Sequence, residues 1–275
     1  MTQKHTIVTS YGSLAVEESA GHGLPVLMIH GNSSCREIFR HQLHGRLAER
    51  HRLIGFDLPG HGHSSDAPDP THTYTRPGLA DATLELLEKL HVREAVVLGF
   101  ALGGHIGMEM MQRFAGMRGL MIVGSPPVPR QGIAQGFGDA PLNGLASKEK
   151  LSGNDITNFA KMITANPPAP FLIEAITRAD GRFRKRLFEA ALAGEGVDQR
   201  ALVERSRIAL AVVNGGEDKV VNLDYFDTVH YANLWEGRCH RLPKLGHAPF
   251  LESPGEFNPI FERFVYDMDA LGRPN

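Results

Sequence analysis

The most constraining stretch of the chain runs Val96-Val97-Leu98-Gly99-Phe100-Ala101-Leu102-Gly103-Gly104-His105-Ile106-Gly107-Met108-Glu109. A short apolar run ends in a glycine-flanked turn and passes without a break into an apolar segment of helical length, which predicts strand, sharp turn, helix. Glycines on either side of such a turn let two backbone arms pass closer than larger side chains allow. Gly99 and Gly103 hold the flanking places and Ala101 the centre. Where enzymes use a turn of this kind, the centre carries a nucleophile, so serine, cysteine or aspartate is expected at 101. The chain has the frame without the reactive side chain.

The other segments supply a sheet around that turn. His5 to Thr9 and Leu14 to Glu18 predict an edge hairpin about Tyr11-Gly12-Ser13. Pro25 to Ile29, Arg52 to Phe56, Gly119 to Gly124 and Ile208 to Val213 are apolar runs of the kind a strand buried on both faces needs. A last strand is expected at Cys239 to Leu242, with helices over 77–91, 223–231 and 254–270. From Val128 to about Arg207 strand signals stop. Gly- and Pro-rich links there separate amphipathic stretches at Asp155 to Thr164, Pro170 to Arg178 and Phe183 to Leu192. The expected organisation is a core of residues 1–127 and 208–275, with a helical cap at 128–207. Alternating strands and helices imply an α/β class with a mostly parallel sheet covered on both faces.

Composition narrows the partners. With 275 residues, 42% hydrophobic and 22% charged, the chain can bury a large core. A formal net charge of −2 provides no basic field for nucleic acid or an anionic membrane surface, so a small neutral molecule is the expected partner. Cys35 and Cys239 lie far apart and read as free thiols of a reducing compartment. The first residues lack the apolar run of a secretory leader and no apolar stretch reaches spanning length, so the expectation is a cytoplasmic monomer or weak dimer.

Three candidates for chemistry follow core strands in the order Ala101, Asp218, His247. Acyl transfer needs a base to take the nucleophile's proton and a buried carboxylate to fix the imidazole tautomer. Asp218 follows Asn214-Gly215-Gly216-Glu217, and His247 follows Gly246. Glu217 is the rival carboxylate and reads as a solvated loop acid. An oxyanion hole would draw one backbone N–H from Leu102 and another from Asn32, in the loop His30-Gly31-Asn32-Ser33-Ser34. Asn32 could also offer its side-chain amide. His61-Gly62-His63 suggests a metal pair, yet no His-Glu-x-x-His, carboxylate cluster or cysteine pair completes a ligand set, and neither metal nor cofactor is expected. Tyr74, Trp235, Met108, Met110 and Met111 read as core.

His30-Gly31-Asn32, Asp57-Leu58-Pro59-Gly60-His61-Gly62, Gly99-Phe100-Ala101-Leu102-Gly103-Gly104 and Gly246-His247 together resemble the α/β-hydrolase superfamily over the whole chain. That resemblance implies an α/β-hydrolase fold with a mostly parallel eight-stranded sheet. More narrowly, His30 to Ser34, Gly103 to Gly107, Met117 to Ile122 and Leu234-Trp235-Glu236-Gly237 resemble the serine-dependent, metal-free N-acyl-homoserine lactonases, which open the lactone ring of bacterial quorum-sensing signals. The resemblance places the family's serine on Ala101, its acid on Asp218 and its base on His247, so the expectation is a lactonase inactivated by a nucleophile-to-alanine change. The expected substrate is an N-acyl-homoserine lactone, contacted by His30, Gly31, Phe100, Phe159, Met162 and Phe171. A general carboxylesterase of the same fold, or a non-catalytic signal-binding protein with a native Ala101, are the alternatives.

Overall fold

A computed structural model describes residues 2–138, 144–164 and 168–271. Its eight strands are β1 (Thr2–Thr9), β2 (Gly12–Ser19), β3 (Gly23–Ile29), β4 (His51–Phe56), β5 (Ala95–Phe100), β6 (Met117–Val123), β7 (Ala209–Gly215) and β8 (His240–Leu242). They form one sheet in the order β1-β2-β4-β3-β5-β6-β7-β8. The hairpin β1/β2 is antiparallel and joins β4 antiparallel; all later pairings are parallel. Side chains alternate between faces along a strand. Leu27, Ile29 and Val97 therefore enter the core on one face, while Val26, Met28, Val96 and Leu98 enter the core on the other.

The order also determines where a ligand can bind. From β3 the chain crosses to β4 on one side, then returns past β3 to β5, so the connections leaving β3 and β5 diverge. Such a switch point leaves a crevice outside the carboxyl ends of the two strands. Gly31 and Asn32 lie at that end of β3, and Ala101 at that end of β5.

Between β6 and β7 the described residues form helices, the longest being Gly153–Ile163, Pro170–Arg178 and Gly181–Leu192. Local chemistry starts them. Ser152 and Asp155 form a reciprocal capping box at the first, Pro170 opens the second, and Asp180 caps the third through the Arg182 N–H. The same Asp180 carboxylate accepts from the Tyr74 hydroxyl at 2.8 Å, and Arg178 donates to the Ser64 carbonyl and the Asp66 carboxylate. One cap residue thus fixes a helix start and ties that helix to the core. The helix expected over 223–231 stops at Asp227, where the Thr228 hydroxyl turns back onto the Tyr225 carbonyl at 2.7 Å. No helix among the described residues is long and apolar enough to cross a membrane.

Candidate active site

Ala101 sits between β5 and the helix Leu102–Met110 with φ 48° and ψ −114°, a conformation an L residue adopts at a cost of about 1–3 kcal/mol. The surroundings hold it there. Its N–H donates to the Val123 carbonyl at 2.8 Å, and its carbonyl accepts from the Ser125 hydroxyl at 2.8 Å. A Cβ on Gly99 would run into the Gly104 backbone, and one on Gly103 into the Ile29 carbonyl. The helix start is thereby pressed against both strands, and the strained turn is over-determined.

Asp218 and His247 meet beside that turn. Asp218 Oδ2 accepts from His247 Nδ1 at 2.7 Å, while Oδ1 accepts from the Val220 and Val221 N–H groups at 2.8 and 3.3 Å. The Asp218 side chain is fully buried, and that of His247 nearly so. Nδ1 faces an acceptor and carries the proton, which leaves Nε2 with its lone pair, the state a general base needs. Glu252 holds the backbone on both sides of the imidazole, accepting from the Gly246 and Ala248 N–H groups at 2.8 and 3.3 Å. Gly124 lies so close that a Cβ there would come within 2.5 Å of His247 Cε1. Glu217 is exposed and takes no part in this arrangement.

Leu102 is the first residue of its helix, so its N–H has no intrahelical acceptor and points out of the helix start. The Asn32 side chain is already committed, to Ser33 in its own loop and to the segment between β6 and β7. Nδ2 donates to the Ala146 carbonyl at 2.9 Å and Oδ1 accepts from the Ser33 hydroxyl at 2.8 Å. Two buried histidines brace this loop. His61 Nε2 accepts from the Ser33 N–H at 3.1 Å, and His30 Nε2 accepts from the Leu58 N–H at 3.0 Å. His61 is thus engaged as a loop brace. No group of three or more His, Cys, Asp or Glu side chains that could hold a metal gathers among the described residues.

Ala101, Leu102, Gly31, Asn32, Phe100 and His247 all line one cavity of about 240 Å³, which continues under the inserted helices past Phe159 and Met162. Two expected contacts lie elsewhere. His30 is wholly buried behind the loop it braces. Phe171 faces a separate polar cleft, with the Arg40 guanidinium 4.9 Å from its ring centroid. Conversely, the cavity includes Arg76, His105 and Phe137, which the sequence had not singled out. His105 lies one helical turn beyond the elbow, and that spacing, on a helix whose other ionisable side chain is Glu109, was the available signal.

Buried neutral histidines make a testable contribution to stability. Burial, reinforced by the positive charge of Arg76 and opposed by a hydrogen bond with Gln199, pushes His105 down to about 4. Burial likewise lowers His30 and His61. Because these folded-state values are depressed, the unfolded chain takes up protons first as pH falls through about 6.5, and stability is lost from there toward pH 4. His105 alone should account for about 2 kcal/mol between pH 7 and pH 5. Urea unfolding at the two pH values tests this; a His105→Asn variant with the same pH slope as the parent would contradict it.

Residues 26–260 match the Alpha/beta hydrolase family. The chain belongs to that family. As an alpha/beta hydrolase it is similar to the AB hydrolase superfamily protein YisY of Bacillus subtilis (strain 168), 30% identical over 274 residues that cover 94% of this chain and 98% of YisY. Among solved structures it is similar to the N-acyl homoserine lactonase AidH. A serine-to-glycine mutant of AidH, complexed with N-hexanoyl homoserine lactone, superposes with a TM-score of 0.94 at 45% identity, covering 97% of this chain and 98% of that one. A glutamate-to-glycine mutant, complexed with N-hexanoyl homoserine, superposes with a TM-score of 0.97 at 44% identity over 100% of both chains.

Proposed function

We propose that this alpha/beta hydrolase is an N-acyl-homoserine lactonase scaffold that, with Ala101 at its elbow, binds the lactone without forming an acyl-enzyme. The observation that carries the reading is the intact Asp218–His247 pair, 2.7 Å apart, beside a strained elbow at the head of an apolar cavity. Full-length similarity to a lactonase complexed with an acyl-homoserine lactone supports the choice of substrate over other esters.

With serine at 101, the hydroxyl attacks the lactone carbonyl while His247 Nε2 takes its proton. The Leu102 and Asn32 backbone N–H groups receive the oxyanion. His247 then returns the proton to the ring oxygen, breaking the C–O bond and leaving an acyl-enzyme with a free homoserine hydroxyl. Water, deprotonated by the same nitrogen, attacks the acyl-enzyme, and departure of the serine oxygen with that proton releases N-acyl-homoserine. In the chain with Ala101 the first bond cannot form.

Mass spectrometry of an acyl-homoserine lactone incubated with the chain and with its Ala101→Ser variant tests the reading. Ring opening adds one water without splitting the molecule. Cleavage of aryl esters but not lactones by the serine variant would instead make the protein a general esterase. Binding by the unmodified chain, with no hydrolysis of any ester by the serine variant, would identify a signal-binding protein.

The apolar cavity between the elbow and Phe159 and Met162 is the proposed acyl site. Each buried CH₂ contributes about 0.8 kcal/mol, so affinity should rise roughly fourfold per methylene until the cavity is full. Calorimetry across a series of unbranched acyl lactones checks this, and a flat series would remove the acyl chain from the cavity.

A further inference from the structure

Four of the described residues lining the cavity have polar side chains: Asn32, Arg76, His105 and His247. Asn32 is spent on Ser33 and the Ala146 carbonyl, and His247 belongs to the elbow. The other two have no part in the acyl transfer.

The state of His105 follows from its partners. Gln199 Nε2 donates to the His105 carbonyl at 3.2 Å, which orients the Gln199 amide so that its Oε1 lies 2.7 Å from His105 Nδ1. An acceptor there requires the proton on Nδ1, so Nε2 carries a lone pair. Arg76 is buried close enough for its charge to act on His105. One Arg76 nitrogen donates to the Glu195 carbonyl at 2.7 Å and Nε is occluded beside the Glu109 carboxylate at 3.7 Å, while the Arg76 side chain is among those lining the cavity. An acceptor and a donor therefore border a cavity otherwise lined here by Val128, Ile133, Phe137 and Leu187. A carboxylate ligand would fail against the His105 lone pair, and an alkyl group would leave both polar groups unmatched. A hydroxyl answers both, donating to Nε2 and accepting from the guanidinium.

Position along the chain can be read from the helix. His105 is four residues from 101 on the same helical face, an advance of about 6 Å. The third carbon of an acyl chain lies five bonds from the lactone carbonyl, also about 6 Å in an extended chain.

We propose that His105 and Arg76 form a polar subsite that selects acyl chains bearing a hydroxyl on the third carbon. This rests on the lactonase reading and names which lactones the site prefers.

The test is calorimetry on the chain as it stands, whose Ala101 prevents acyl transfer, with N-hexanoyl-, N-(3-hydroxyhexanoyl)- and N-(3-oxohexanoyl)-homoserine lactone. The hydroxy compound should bind about tenfold tighter than the unsubstituted one. The oxo compound, which accepts but cannot donate, should fall below the hydroxy compound. In His105→Leu the hydroxy-to-unsubstituted ratio should collapse to about one. Equal affinities in the unmodified chain, or a ratio that survives His105→Leu, would overturn the subsite while leaving the lactonase reading intact. Absence of binding by all three lactones would bring down that reading and the subsite with it.

Discussion

Replacing Ala101 with serine is expected to raise the rate of lactone ring opening on the order of a million-fold, the scale on which loss of a nucleophile disables a serine hydrolase. The size of the gain depends on what is already in place. The backbone at 101 holds φ 48° and ψ −114° with alanine present, so the strain that presents an elbow side chain is borne whether or not an Oγ is there to use it. His247 is already oriented by Asp218 at 2.7 Å, and its backbone is held by Glu252. The Leu102 N–H is freed by its place at the helix start. Serine adds one oxygen to an otherwise assembled site, so the change should appear in kcat, with lactone affinity little altered because ground-state contacts remain. Single-turnover mass spectrometry would detect the acyl-enzyme directly. A gain below about a hundredfold would mean that His247 does not serve position 101, since an activated nucleophile is worth far more than that.

The parts of the site legible in the sequence are those fixed by local steric demands. Gly99 and Gly103 announce the elbow because nothing larger fits between β5, the Gly104 backbone and the Ile29 carbonyl. The apolar runs of β3, β5, β6 and β7 announce strands buried on both faces, and Pro170–Arg178 and Pro254–Ala270 end where their amphipathic patterns end. Cavity membership is different, because it depends on how separate elements lean together. His30 adjoins Gly31 in the chain, yet its ring serves the Leu58 N–H behind the loop. Phe159 and Phe171 both stand on inserted helices, and only the first faces the elbow; the second lies beneath Arg40. Arg76 opens a helix upstream of the elbow and enters the cavity only because Arg76–Lys89 packs beside Leu102–Met110. No periodicity within either segment encodes that approach.

Asp218→Asn, introduced together with serine at 101, should lower kcat about ten-thousandfold at neutral pH while leaving the fold in place. The reason lies in the two sides of the carboxylate. Oδ1 accepts from the Val220 and Val221 N–H groups, and Oδ2 accepts from His247 Nδ1. An asparagine of the same shape must keep its single oxygen toward the two N–H donors, because turning the amide would set an NH₂ against them inside a buried site. The NH₂ then faces Nδ1, which must become an acceptor, and the imidazole proton moves to Nε2. A base protonated on the nitrogen that faces serine cannot take the serine proton, so the site is blocked by its tautomer even though every heavy atom is in position. Far-ultraviolet circular dichroism and lactone affinity should stay close to those of the Ala101→Ser parent, while turnover collapses. A loss smaller than tenfold would assign the carboxylate role elsewhere, with exposed Glu217 the first residue to replace next; loss of folding on Asp218→Asn would instead mark the buried carboxylate as a structural keystone of the β7 loop.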